Sequence, residues 1–196
     1  RRGRLSSLAA RAFTPEMIDL HENPDFCRHC HNPLQAGSDK ILEIMRRGYT
    51  IHDFRSAVEE LQERFDAPSI TTDVIVGHPG ETEDDFMETI DRCPEFGFSK
   101  IHVFPLSMRE GTLAASLKRD VVDPVEVRRR ARELGELDGE LSREYRERFI
   151  GRGLDVLIEG AARGRDDWLE GLAGRYLKVA CPSPSTGAAR RFQGTL

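Results

Sequence analysis

The chain has 196 residues, 38% hydrophobic and 32% charged, with a formal net charge of −5; that balance suits a packed globular core and excludes a disordered or collagen-like chain. No apolar run approaches the ~18 residues of a membrane span, and the opening Arg1-Arg2-Gly3-Arg4 lacks the pattern of a secretory signal, so the expected compartment is the cytoplasm. Residues 151–196 carry seven Lys/Arg against five Asp/Glu, leaving 22 against 29 in residues 1–150, a split that argues against bulk nucleic-acid binding by the larger part and allows a small basic module at the end.

Leu5-Ser6-Ser7-Leu8 reads as a short buried strand. Thr14 as N-cap, Pro15 at the first helical position and Glu16 in the first turn open a helix, with Phe13 and Ile18 spaced for a hydrophobic staple. His29 to Gln35 reads as a weak strand. Ser38 is expected to cap a helix with Ile41, Ile44 and Met45 on its apolar face. Thr50, with Asp53 three residues on, begins another, and Phe54, Val58, Leu61 and Phe65 give its period. Ile70 to Val76 is the strongest strand signal, rich in β-branched residues and closed by the turn Gly77-His78-Pro79-Gly80. Thr82 and Asp85 form a capping-box pattern, with Glu83 and Asp84 where the helix dipole favours acids; that helix is expected to stop at Pro94. Lys100 to Phe104 is a further strand. Asp123-Pro124 opens a long helix with Val127, Ala131, Leu134, Leu137, Leu141, Tyr145 and Phe149 on one face.

Strands alternating with helices imply a parallel sheet with crossover helices, and such sheets carry their sites at the C-terminal ends of the strands. After Gly151 the pattern changes. Leu154, Val156 and Ile158 alternate, Tyr176 and Lys178 alternate with Leu177 and Val179, and no helix follows. Residues 151–196 therefore read as a small all-β module, with a tail after Pro182 rich in Ser, Pro, Gly and Ala that reads as partly disordered. The boundary falls between residues 1–150 and 151–196. Arg rather than Met stands first, so the chain reads as a fragment, a processed product or the translation of an incomplete gene.

Three stretches in order carry a resemblance. They are Pro33-Leu34-Gln35-Ala36-Gly37-Ser38-Asp39-Lys40 with Met45-Arg46-Arg47-Gly48-Tyr49-Thr50; Thr71 to Phe86, containing Gly77-His78-Pro79-Gly80-Glu81-Thr82; and Gly97 to Pro105 followed by Arg109-Glu110-Gly111-Thr112. Together they resemble the methylthiotransferase branch of the radical-SAM enzymes over about residues 4–180. The third stretch is most similar to the members acting on threonylcarbamoyladenosine in tRNA. The resemblance implies an α/β fold comprising the C-terminal strands of a six-stranded open (βα) barrel, followed by an incomplete TRAM-like RNA-binding module. It implies S-adenosylmethionine and two [4Fe–4S] clusters in the full-length protein, the anticodon loop of tRNA as partner, and neither membrane nor DNA. The implied reaction is radical methylthiolation at C2 of N6-threonylcarbamoyladenosine-37. The same chemistry on isopentenyladenosine or on a ribosomal-protein aspartate is the alternative, and a non-catalytic RNA-binding remnant is another. The sulfur donor is left open.

The CxxxCxxC loop that such enzymes use to hold the cluster is absent here; by the family pattern both sets of cluster cysteines lie upstream of Arg1, so this chain supplies no catalytic residue and is expected to be inactive alone. Residue by residue, the resemblance implies that Gln35 faces a ribose, Arg47 pairs with the methionine carboxylate, Asp73 accepts from ribose hydroxyls, and Gly77 and Gly80 let the backbone approach the adenine, with Ser38 in the same strand–helix turn. A guanidinium suits a carboxylate because it can bind through two parallel hydrogen bonds. Arg109, Arg152, Arg175, Tyr176 and Lys178 are the RNA-facing candidates, with Arg163, Arg165 and Trp168 beside them, since cations track phosphates and aromatic faces stack on bases. Against the family pattern, Ala9-Ala10 stands where Glu-Pro is usual, Asn32 where an apolar residue is usual, and His78 where an aromatic is usual. Cys27-Arg28-His29-Cys30-His31 suggests zinc at first sight, but no second Cys or His pair stands at finger spacing, so no metal site is expected there. Cys93 and Cys181 read as buried reduced thiols.

Overall fold

The β-branched run predicted as the strongest strand forms the centre of the first sheet. A computed structural model describes residues 3–5, 7–108, 111, 117, 120–165 and 167–183, and the backbone of 191–195. In it β2 (Ser69–Val76) lies between β1 (His29–His31) and β3 (Lys100–Pro105), and all three are parallel. The register sets His31 beside Thr71 and Asp73 beside His102. Alternation along β2 sends Thr72, Val74 and Val76 into the helix-covered core, whereas Asp73 and Ile75 are half-buried on the opposite face.

The strand expected over His29–Gln35 is interrupted. β1 ends at His31; Pro33, which has no N–H to give, breaks the ladder. The chain rejoins β2 at Gln35, whose N–H donates to Asp73 O (2.8 Å) and whose carbonyl accepts from Ile75 N–H (2.9 Å). The strand expected at Leu5–Leu8 does not form among the described residues of that stretch, which exclude Ser6. Ser7 takes φ +44°, which ends any extended run, and Leu8 N–H donates to His31 O at 3.0 Å.

The helices follow their caps. α1 (Pro15–Asp19) starts on Thr14, whose hydroxyl accepts from Met17 N–H. α2 spans Asp39–Ile44 and α3 Ile51–Arg64; α3 opens on a full Thr50–Asp53 capping box. α4 (Glu83–Phe96) opens on the Thr82–Asp85 box and runs through Pro94 to end at Gly97. Pro94 does not stop it because the proline falls in the last turn, where one backbone bond is lost. One residue pair further on, Phe96 is pulled inward by Phe54 and Phe98, with ring centroids 5.0 and 5.7 Å from its own. Gly37 sits where α4 passes closest: a Cβ there would overlap the Thr89 backbone, and Gly37 N–H donates to Thr89 Oγ1 at 2.9 Å.

α5 (Pro124–Glu147) begins with Asp123 accepting from Val125 N–H at 2.7 Å. Its Leu134 and Leu141 belong to the core under the parallel sheet. Its Tyr145, with Phe149 just beyond, belongs to a second core with Leu154, Val156, Ala173, Leu177 and Val179. That second core lies under an antiparallel sheet of β4 (Gly153–Ala161), β5 (Trp168–Ala173), β6 (Lys178–Pro182) and β7 (Arg191–Thr195), in the order β6-β5-β4-β7. β7 is a strand inside the tail that the sequence marks as partly disordered; residues 184–190 of that tail lie outside the described residues. No described helix is long and apolar enough to cross a membrane.

Candidate functional site

Four of the predicted positions, Gln35, Arg47, Gly77 and Gly80, lie at the C-terminal edge of the parallel sheet. Gln35 is held at φ +68°, a left-handed conformation that costs a non-glycine residue ~1–3 kcal/mol and persists only when its surroundings fix it. Backbone pairing to β2 does so on one side; on the other, the buried Tyr49 hydroxyl donates to Pro33 O (2.9 Å) and Leu34 O (3.1 Å). Arg47, exposed at the end of α2, donates from Nη2 to Gln35 Oε1 at 2.8 Å. The two side chains, assigned above to separate parts of a ligand, therefore form one unit. His78 lies close enough for the Arg47 charge to depress its pKa, though burial is the larger cause, and its Nδ1–H donates to Pro79 O at 3.0 Å.

The turn Gly77–Gly80 is anchored from beneath. Glu81 Oε2 accepts from Gly77 N–H and from His78 N–H, the latter at 3.1 Å. Arg130 of α5 lies 3.4 Å from the same oxygen, and both side chains are buried. Burial pushes the Glu81 carboxyl up, and the Gly77 amide and Arg130 pull against it. Gly77 and Gly80 take φ +80° and +86°. At Gly77 a Cβ would overlap Val127 Cγ2, so a side chain there would meet the approach of α5 as well as the left-handed φ. A cleft of about 270 Å³ opens beside it, lined by Gly77, Pro79, Leu106, Val121, Val122 and Val127.

Ser38 and Asp73 each have a side-chain partner of their own. The Ser38 hydroxyl donates to Asp85 Oδ1 at 2.7 Å and makes no cap for α2. Lys40 pairs with the other Asp85 oxygen at 2.6 Å. Burial works to raise the Asp85 pKa, but Lys40, Thr82 and Ser38 together hold it well below the usual carboxylate range. Asp73 Oδ2 accepts from His31 Nε2 at 3.2 Å.

The RNA-facing candidates of the β module are largely committed to its attachment. Arg175 donates to Ala67 O (3.1 Å) and Asp66 O (2.9 Å), and Arg152 pairs with Asp66 at 3.2 Å. Tyr176 stacks on His29 with centroids 4.6 Å apart, under the Arg4 guanidinium. Lys178 pairs with Glu170 at 3.1 Å. Arg109 lies outside the described residues.

The Cys27–His31 run cannot close on one ion, because strand parity separates it: Cys30 enters the core, its Sγ 3.2 Å from His21 Nε2, and His29 and His31 point to the other face, both onto Thr71 Oγ1. Burial pushes the Cys30 and Cys93 thiols up to about 12 and holds His29 down at about 3, with Arg4 adding to the latter. All four cysteines are buried and free. Glu81, Arg130 and His102 were not marked by the sequence. Only the Gly-x-x-Gly-Glu spacing hinted at the first; the other two depend on which helix and strand lie alongside, which needs the tertiary register.

Residues 4–93 match the family model of the Radical SAM superfamily. Among curated relatives, the chain is 43% identical over 136 residues to the tRNA-2-methylthio-N(6)-dimethylallyladenosine synthase of Chloroflexus aurantiacus, covering 68% of this chain and 29% of that protein. It is 37% identical over 182 residues to the threonylcarbamoyladenosine tRNA methylthiotransferase MtaB of Bacillus subtilis, covering 91% and 40%. The chain thus spans well under half the length of these relatives. Among solved structures, it superposes on coproporphyrinogen III oxidase (HemN) of Escherichia coli with a TM-score of 0.59 at 13% identity, covering 87% of this chain and 46% of that one. Elp3 of Methanocaldococcus infernus gives 0.50 at 16% identity, covering 59% and 28%. At those identities the likeness is one of fold.

Proposed function

The chain belongs to the radical-SAM superfamily, within its tRNA methylthiotransferases, and from that premise we propose that it forms the cofactor-gripping half of the barrel, with its RNA-binding module, in an enzyme that methylthiolates adenosine-37 in the anticodon loop of cytoplasmic tRNA. The observation that carries the reading is the polar edge itself: a strained Gln35, the Arg47 guanidinium and the Gly77–Gly80 turn gathered where parallel sheets bind ligands.

The donor set fits S-adenosylmethionine. Arg47 offers a cation for the α-carboxylate, Gln35 an amide for ribose or amino group, and the largely apolar cleft beside Gly77 and Pro79 a slot for the adenine. When bound, that cofactor supplies a carbon radical for hydrogen abstraction. The residues here orient it: Tyr49 and the backbone of β2 fix Gln35, Gln35 fixes Arg47, and the Glu81–Arg130 pair fixes the turn. The [4Fe–4S] clusters do not fit this chain. No three cysteines converge among the described residues, and the thiols that do exist serve as core. The chain spans well under half of its relatives' length, and the cluster ligands are proposed to lie in the part it does not cover.

The finer substrate is N6-threonylcarbamoyladenosine. The Gly97–Pro105 stretch favours it, and both this substrate and dimethylallyladenosine occur in the names of the relatives. Mass spectrometry of tRNA nucleosides from a strain lacking the gene tests the proposal. Loss of 2-methylthio-N6-threonylcarbamoyladenosine is expected. Loss of the isopentenyl counterpart moves the substrate, and unchanged methylthio nucleosides refute the tRNA reading.

A further inference from the structure

The β module spends most of its cations on holding itself in place, whereas the long helix beside it carries cations that hold almost nothing. At 3.6 residues per turn, Arg128, Arg132, Gly135, Gly139, Arg143 and Arg146 of α5 fall within an arc of about 80°. Every one of them is exposed, and no acid stands in that arc. Glu136, Glu140, Glu144 and Glu147, also exposed, keep to the neighbouring arc. Among the described residues, the Arg128 and Arg146 side chains have no hydrogen-bond or ion-pair partner. Arg132 and Arg143 reach only Glu136 at 4.0 Å and Glu147 at 3.9 Å, and all four of those side chains are more than half exposed. Pairs of that kind contribute little. The stripe stands on a body with 22 Lys/Arg against 29 Asp/Glu in residues 1–150, so it is a local concentration of charge and not a share of a general excess.

We propose that this face of α5 is a docking track for the phosphate backbone of RNA, running from the reaction edge to the β module. The proposal rests on the tRNA reading above and adds where the body of the RNA lies. Its two ends are the first argument. Arg128 lines the cleft beside Gly77 at the C-terminal edge of the parallel sheet. Arg146, five helical turns on, lines a groove of about 350 Å³ together with Lys100, Arg175, Tyr176 and Lys178, where helix, sheet and module meet. The track between these two arginines is about 27 Å long.

The glycines are the second argument. Glycine is the poorest helix former after proline, and packing asks for neither Gly135 nor Gly139: both are exposed, and a Cβ built on either meets nothing within 4 Å. They clear the middle of the track, so that a sugar–phosphate backbone can lie against the helix between two pairs of arginines. Arg128 and Arg132, one turn apart, repel each other; a phosphate between them turns that repulsion into attraction, and the guanidinium fork fits its oxygens. A polypeptide would find no aromatic or aliphatic anchor in the arc between Arg128 and Arg146, and such anchors carry protein interfaces. Phosphate contacts position a nucleic acid without reading its sequence, which leaves the choice of base to the reaction edge.

The test is a binding titration that needs no activity. The purified 196-residue chain is titrated against a fluorescently labelled, unmodified tRNA transcript across a salt series and read by anisotropy. Binding is expected to weaken steeply with salt and to be indifferent to the anticodon sequence. The variant Arg128→Gln/Arg132→Gln/Arg143→Gln/Arg146→Gln is expected to flatten the plot of log K against log salt by about 3, at about 0.7–0.9 per phosphate contact, and to bind about 30-fold or more weakly at about 0.1 M salt. Its melting should be unchanged, since all four positions are exposed. Gly135→Leu/Gly139→Leu separates the track from general charge: it keeps every charge and should raise Tm, yet weaken RNA binding about tenfold, the equivalent of one or two lost phosphate contacts. Arg55→Gln, whose side chain pairs with Glu95 on another surface, should bind like the parent. No salt-sensitive binding of tRNA by the parent, a parental slope in the fourfold arginine variant, parental affinity in the leucine variant, or competition by poly-glutamate as strong as that by tRNA would each overturn the track. The tRNA reading is judged separately by the nucleoside analysis, so the track can fail while that reading stands.

Discussion

Replacing Asn32 by leucine should make the protein more stable. Strand parity points Asn32 into the core with Cys30 and Leu34. It is fully buried, and neither its Oδ1 nor its Nδ2 has a hydrogen-bond partner among the described residues. Its backbone is fully used: the N–H donates to Thr71 O at 2.9 Å and the carbonyl accepts from Thr72 Oγ1 at 2.8 Å. Only the side chain is at odds with its place. An unmet buried polar group costs ~1–3 kcal/mol, and a buried leucine side chain contributes ~1.5–3 kcal/mol. Leucine nearly matches asparagine in shape, so the repacking cost is put at about 1 kcal/mol. The net gain is about 1.5–5 kcal/mol, or about 3–20 °C in Tm at 2–4 °C per kcal/mol for a chain of this size. Urea unfolding should show a higher midpoint with an unchanged slope. Asn32→Asp, which buries a carboxyl in the same slot, should fall the other way. A midpoint for Asn32→Leu at or below that of the parent would refute the reasoning, because it would mean that the amide is satisfied, for instance by an enclosed water.

Asp85 should give the fold an acid limb. Its folded pKa lies below its ordinary value of 3.8, so its contribution is present above about pH 4 and drains away as pH falls further; Asp85→Asn should cost about 2 kcal/mol at pH 6 and flatten the loss between pH 4 and 2 in urea titrations. Arg130→Met should cost about 3–5 kcal/mol by stranding Glu81, and adding Glu81→Gln should recover part of it; additive losses in the double-mutant cycle would count against the pair. Gly77→Ala should destabilise by more than the ~1–2 kcal/mol of a left-handed alanine, with the excess relieved by Val127→Ala; an excess that survives the second change would show that α5 is not the obstruction.

Local chemistry was legible wherever it was self-contained. The Thr14, Thr50 and Thr82 caps, the β2 run and the face of α5 all rest on neighbours within one or two turns. Two local readings failed for tertiary reasons: Pro94 was overruled by the burial of Phe96, and Ser38 was drawn from its own helix to Asp85. At the site, Gln35 and Arg47 could be marked singly, but not their bond to each other, which depends on a left-handed turn that no propensity foretells. Gly77 was marked correctly as a glycine with a purpose, yet Val127 stands fifty residues on. Arg152 and Arg175 read as an RNA surface because charge is visible in sequence, whereas the Asp66 carboxylate that pairs with Arg152 and the Asp66 and Ala67 carbonyls that accept from Arg175 are not. The place of His102 beside Asp73 needs the strand register before it can be seen.

The reach of α5 has a practical corollary for how this protein can be divided. Its 24 residues extend about 36 Å, and it lends leucines to one sheet and an aromatic ring to the other. A cut at residue 150 strips the cover from Tyr145 and Phe149, and a cut before Pro124 bares β3. Neither half can be lifted out with a finished surface. The two sheets are expected to melt as a single transition, and a graft of the β module onto another protein has to carry the last turns of the helix along with it.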